Sequence, residues 1–137
     1  MESSFLGRRD STLDTQGNMG KGGFPFAAAA LLPKCLNDFE RQYLSRYTPC
    51  TEMDIEQLVE AIAIVHIEFI LLHPFRDGNG RIARLLADVM AAQSGFETLD
   101  YQCWEGNKSH YISAIHAGAN MDYEPMKYWV RQALKNN

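Results

Sequence analysis

From Met53 to Leu72 apolar side chains return every three or four positions, at Ile55, Leu58, Val59, Ile62, Val65, Phe69 and Leu72, while Glu52, Glu56 and Glu60 fall on another face. That spacing predicts a helix. Its second half is apolar almost all round, which predicts a path through the centre of the core. Pro74 ends it, because the residue before a proline is pushed out of the right-handed helical region. A second apolar stripe, Ile82, Leu85, Leu86, Val89 and Met90, predicts another helix closing at Gly95 as its C-cap. Upstream, Leu32, Leu36, Phe39, Tyr43 and Leu44 stand near helical spacing, with Pro33 placed in a first turn. Downstream, "SHYISAIHAGAN" and "DYEPMKYWVRQALK" each fit a helix, the latter with Asp122 as N-cap and Pro125 in its first turn. Only "QGNMGKGGFPF", Gln16 to Phe26, breaks the pattern; it holds four of the ten glycines and reads as a loop or hairpin. The expected fold is all-α with one glycine-rich excursion.

A chain of 137 residues suits one compact domain, 1–137, around one core. Hydrophobic residues at 46% and charged residues at 22% are ordinary for a globular protein. The N-terminus has no apolar signal region, and the longest apolar run is broken by His66 and Glu68, so neither a leader nor a membrane partner is expected. A net charge of -4 argues against nucleic acid, since phosphate backbones favour a basic surplus. Cys35, Cys50 and Cys103 lack metal-site spacing and an even count, which excludes a disulfide framework or zinc site and makes the cytoplasm the expected compartment.

The arginines therefore serve something small, and three of them crowd into "HPFRDGNGRIAR", His73 to Arg84. Gly78, Asn79 and Gly80 precede the second stripe, where backbone N–H groups and a helix dipole can cradle an anion. Arg81 and Arg84 are three apart and share a face, so both can reach the same anion. Asp77 offers a hard oxygen suited to Mg²⁺. His73 is the one group here that titrates near neutrality, which fits a general base. Together these describe a di- or triphosphate site. Each feature taken singly has a plainer reading: a helix start, an Arg84–Asp88 pair, a capping histidine. His66, a heptad before His73, reads as a polar group against the core rather than a metal ligand; Trp104 and Trp129 read as core.

The segment resembles the signature of the Fic family, His-Pro-Phe-x-Asp/Glu-Gly-Asn-Gly/Lys-Arg-x-x-Arg, at every specified position. Around it, "GKGGFPF" resembles the family's flap hairpin, about 16–27, and "YISAIHAGANMDYEPMKYWV" its closing helices. The resemblance implies a compact helical domain that transfers AMP from ATP to a Ser, Thr or Tyr hydroxyl of a target protein, releasing pyrophosphate. By position it makes His73 the base and Asp77 the magnesium ligand. Gly78, Asn79 and Gly80 then hold the α-phosphate region, and Arg81 and Arg84 the β- and γ-phosphates. Tyr111 falls where relatives line the nucleotide pocket, and Lys21, Gly22, Gly23 and Phe24 fall on the flap that docks the target as an added strand. A glycine at position 80, where γ-phosphate-transferring relatives carry lysine, favours AMP.

Family members often carry an inhibitory Ser/Thr-x-x-x-Glu-Gly/Asn helix. Neither Thr48 to Glu52, followed by Met53, nor Tyr101 to Glu105 with Gly106 satisfies it. Inhibition is therefore expected from a separate antitoxin-like partner, or from a segment absent from this chain. The alternatives are transfer of another nucleoside monophosphate or phospho-group, a catalytically silent nucleotide-binding module, and delivery to another cell in place of a cytoplasmic role.

Overall fold

The computed structural model describes residues 26–135, and all regular structure among them is helical. Helix α1 (Phe26–Phe39) runs through a π-helical turn (Glu40–Leu44) into the short α2 (Ser45–Tyr47). Then come α3 (Ile55–Leu72), α4 (Asn79–Gln93), α5 (Gln102–Gly106), α6 (Lys108–Ala119) and α7 (Glu124–Lys135). The expected flap at 16–27 lies outside the described residues except for its last two, which already belong to α1.

Helix α3 is the axis against which α1, α4, α6 and α7 pack. It starts with a capping box: the Asp54 carboxylate accepts the Gln57 N–H at 2.8 Å, and the Gln57 side chain accepts the Asp54 N–H at 2.9 Å. From Leu58 to Phe69 only Glu60 escapes burial, and Leu58, Ile62, Ile67 and Leu71 lose essentially all contact with solvent. Each of these side chains contributes on the order of 1.5–3 kcal/mol of hydrophobic stabilisation. The prediction that α3 forms the centre is borne out.

The stripe on α4 is split between two faces, with Met90 and Leu86 turned to the core and the rest outward. Leu85 is 62% exposed, with Ile82 and Val89 also exposed, and the buried face is Ala83, Ala87, Met90 and Ala91. Small side chains let the α4 backbone lie close to α3; Ile82, Leu85 and Val89 are displaced outward. Helix α6 uses the same device with Ala114, Gly118 and Ala119. A Cβ built on Gly118 would stand 2.4 Å from Ile67 Cδ1, so only glycine permits this approach without adjustment.

Helix ends differ in detail from those expected. Pro33 is not in a first turn but inside α1, because the alanines before it extend the helix N-terminally. The proline removes one backbone hydrogen bond there. Helix α4 ends at Gln93, with Gly95 (φ 86°) one residue beyond the cap in a Schellman arrangement: Phe96 N–H bonds to Ala91 C=O and Gly95 N–H to Ala92 C=O. Asp122 accepts the Glu124 N–H at 3.2 Å, and Pro125 follows in the first turn of α7.

Candidate functional site

The signature loop joins the C-terminus of α3 to the N-terminus of α4. His73 caps α3 in the left-handed region (φ 51°, ψ 59°), its N–H still bonded to Phe69 C=O at 3.1 Å. This is how the chain obeys Pro74: the preceding residue leaves the right-handed helix by reversing hand. Pro74 is buried, whereas Phe75 is 46% exposed. Asn79 reaches back to Phe75 instead, accepting its N–H at 3.0 Å and donating to its C=O at 2.7 Å. Asn79 is itself buried, so the loop is braced from inside by one amide. These bonds also start α4 three residues ahead of its first bulky apolar residue.

Gly78 precedes α4 at φ 81°. The first bond of the helix runs from Ile82 N–H to Gly78 C=O, which leaves the N–H groups of Asn79, Gly80 and Arg81 without partners inside the helix. Both arginines fold back over this end. A Cβ at Gly78 would lie 3.1 Å from Arg81 Nη2, and one at Gly80 3.5 Å from Arg84 Nη1. N–H groups without helical partners and two guanidiniums therefore meet at one helix terminus, the chemistry of an anion site.

Asp77 is exposed and makes no hydrogen bond or ion pair among the described residues. No group of three or more His, Cys, Asp or Glu that could hold a metal occurs among them. A single free carboxylate beside an anion site suits a magnesium ion brought by phosphates, which keeps most of its ligands as phosphate oxygens and water.

His73 is half-buried, and burial holds its pKa below the ordinary imidazole value, so it is neutral near pH 7. His66 is buried completely and pushed down to about 4, by desolvation first. Its Nε2 lies 2.6 Å from the Tyr111 hydroxyl, while Nδ1 has no hydrogen-bond partner among the described residues; the Ala83 backbone faces the ring outside bonding geometry. Tyr111, raised to about 12 chiefly by burial, keeps its hydroxyl proton, and the His66 tautomer sets which partner donates. Its ring stacks on Trp104 at 4.9 Å, and Trp104 meets Tyr101 edge-on at 4.8 Å.

Helices α3 and α4 thus bring together His73, Asp77, Gly78, Asn79, Gly80, Arg81 and Arg84. Tyr111, on α6, lies against His66 and Trp104 and feels the charge of Arg84. The flap residues Lys21, Gly22, Gly23 and Phe24 lie outside the described residues. The plainer alternative, an Arg84–Asp88 pair, does not form: Asp88 accepts the Leu99 N–H at 3.0 Å and the Tyr101 hydroxyl at 2.8 Å. Sequence reading overlooked Tyr101 as a neighbour of Arg84, because a contact across 17 residues leaves no periodic signal.

The fold and loop define a helical domain with an anion-ready turn between its two central helices. The chain belongs to the Fic/DOC family, whose model matches residues 3–91. It is 31% identical over 106 residues to protein adenylyltransferase fic-1 of Caenorhabditis elegans, covering 64% of this chain and 20% of that protein. It is 37% identical over 65 residues to protein adenylyltransferase Fic of Nematostella vectensis, covering 47% of this chain and 14% of that one. The chain spans about a fifth or less of the length of these relatives. No solved structure gave a significant match. Among the described residues, no helix is long and apolar enough to cross a membrane.

Proposed function

We propose that residues 1–137 act as one Fic-like domain that transfers AMP from ATP to a hydroxyl side chain of a target protein. The observation that carries this reading is the meeting of Arg81, Arg84 and the N–H groups of α4 without helical partners above Gly78 and Gly80. More positive potential gathers there than one phosphate requires, and the adenylyltransferase names of the relatives support ATP as the source.

In the reaction the target oxygen attacks the α-phosphorus, and the bond from that phosphorus to the oxygen bridging to the β-phosphate breaks. The hydroxyl proton passes to neutral His73. Pyrophosphate leaves, its charge matched by Arg81 and Arg84, while the N–H groups of α4 stabilise charge on the phosphate oxygens. Asn79 contributes by holding Phe75 and so the shape of the loop. Mg²⁺ bound by Asp77 together with phosphate oxygens would supply charge neutralisation. Tyr111 lines the nucleotide pocket.

No carboxylate pairs with Arg84 among the described residues, which suits inhibition by a separate protein. Cys35, Cys50 and Cys103 are free thiols, which suits a cytoplasmic setting. Target docking by Lys21 to Phe24 rests on the family resemblance.

The test is incubation of the purified chain with cell lysate and ATP labelled at the α- or the γ-phosphate, in parallel. Retention of α-label, lost in His73→Ala, is expected. Retention of γ-label would make the protein a phosphotransferase. ATP binding without either label on protein would leave a nucleotide-binding module.

A further inference from the structure

Arg84 and Asp88 stand four residues apart on α4, a spacing at which opposite charges ordinarily attract. They do not pair. The guanidinium turns towards the start of the helix, with Nη1 near Gly80, while the carboxylate turns to the segment after α4. Something must hold the two apart, and one side chain touches both. The Tyr101 hydroxyl lies 2.8 Å from Asp88 Oδ1 and 2.9 Å from the Arg84 carbonyl, and Arg84 Cζ lies 5.8 Å from the centroid of its ring.

We infer that Tyr101 is a positioning residue for Arg84: by engaging Asp88 it keeps a competing carboxylate of the same helix off the guanidinium, leaving that charge for the nucleotide phosphates. The inference rests on the proposed role of Arg84. Its substance is a division of labour within one side chain. The hydroxyl supplies Asp88 with the donor it would otherwise find in the guanidinium, and shares the same proton with the Arg84 carbonyl. The ring gives the guanidinium a face to lean on. Burial, with Asp88 as neighbour, raises the Tyr101 pKa, so the hydroxyl keeps its proton across the working range. The Leu99 N–H anchors the same carboxylate oxygen, so loss of the hydroxyl alone leaves Asp88 half-satisfied and one turn from Arg84.

The test compares ATP and AMP affinity by calorimetry for wild type, Tyr101→Phe, Asp88→Asn and the double variant, in magnesium buffer. Wild type is expected to prefer ATP. Tyr101→Phe should weaken ATP by about fivefold or more and AMP by less than about twofold. Asp88→Asn alone should stay near wild type, because an amide oxygen still accepts the Leu99 N–H. The double variant should recover the ATP preference, since asparagine has no charge to offer Arg84; a merely structural role for Tyr101 predicts no such rescue. An unchanged ATP-to-AMP ratio in Tyr101→Phe, or a loss that Asp88→Asn fails to restore, overturns the inference while leaving the proposed function standing. A wild type without ATP preference overturns both. Should Tyr101→Phe not fold, the ratio is read on Asp88→Glu, whose longer carboxylate can reach past the hydroxyl to Arg84; a reduced preference supports the inference and an unchanged one overturns it.

Discussion

Asn79 grips the backbone of Phe75 by both its amide and its carbonyl, at 3.0 and 2.7 Å. The signature loop is thereby closed into a ring of fixed size before any ligand arrives, and the start of α4 is fixed with it. Asn79→Ala should lower stability by about 1–2 kcal/mol through the two lost bonds, measured by urea unfolding. It should also weaken ATP by tenfold or more. ATP affinity at the wild-type level would mean that the loop holds its shape without the amide.

Burial depresses the pKa of His73, which sets the expected acid limb of activity. The neutral imidazole is the base, and a lowered pKa keeps it neutral further into acid. Activity should therefore persist at pH 6.5 and fall only below it, in a profile of kcat/KM against pH. His73→Ala should abolish transfer while ATP binding stays within about twofold. A limb centred above pH 7 would assign the titration to another group.

Asp77 is exposed and has no partner among the described residues, so its replacement should leave the fold alone. Asp77→Ala is expected to raise the magnesium concentration needed for half-maximal ATP binding by about tenfold, with the thermal midpoint unchanged. Equal magnesium dependence in both proteins would remove Asp77 from the metal.

His66 should show itself in the acid stability of the protein. Its folded pKa near 4 lies below the ordinary 6.5, so the unfolded chain takes up this proton first as pH falls. The stability associated with a neutral His66 is complete above pH 6.5 and declines towards pH 4, by roughly 3 kcal/mol in all. Unfolding free energies of wild type and His66→Gln, measured from pH 7 to 4, should converge by that amount. Parallel curves would exclude it.

Gly118→Ala should cost about 1–3 kcal/mol, because the added methyl collides with fully buried Ile67. Combined with Ile67→Ala, the cost should be less than additive, since the two changes share one space. Strict additivity in denaturant melts would mean that α6 simply moves aside.

The path of α3 was legible because its burial and its periodicity agree. The C-terminal end of α3 was legible in Pro74, whereas its start, the capping box of Asp54 and Gln57, went unread behind an apolar pattern taken from Met53. Helix α4 was legible as a helix but not in its facing: bulk suggests Leu85 and Val89 as core, whereas close packing against α3 selects Ala83, Ala87 and Ala91. The π-helical turn and α5 carry no periodic signal, being five residues each. In the site, His73, Asp77, Gly78, Arg81 and Arg84 are adjacent in sequence and so could be read directly. Tyr101 becomes a neighbour only when the segment after α4 folds back, and the grip of Asn79 on Phe75 needs a turn whose shape the residue types permit but do not specify.

His73 is the last residue before the chain leaves its most buried rod, so the reach of the reactive nitrogen is set by everything that beds that rod. Substitutions near its capping box at Glu52 and Glu60, which meet solvent, change only charge and should be freely exchangeable in an engineered variant, whereas Glu56 also accepts from Arg131 at 2.7 Å. Substitutions between Ile62 and Leu71 act at a distance: a packing change too small to unfold the protein can still tilt the rod and carry the imbalance to its tip. A screen of that stretch by turnover would therefore register damage that a screen by melting temperature passes over.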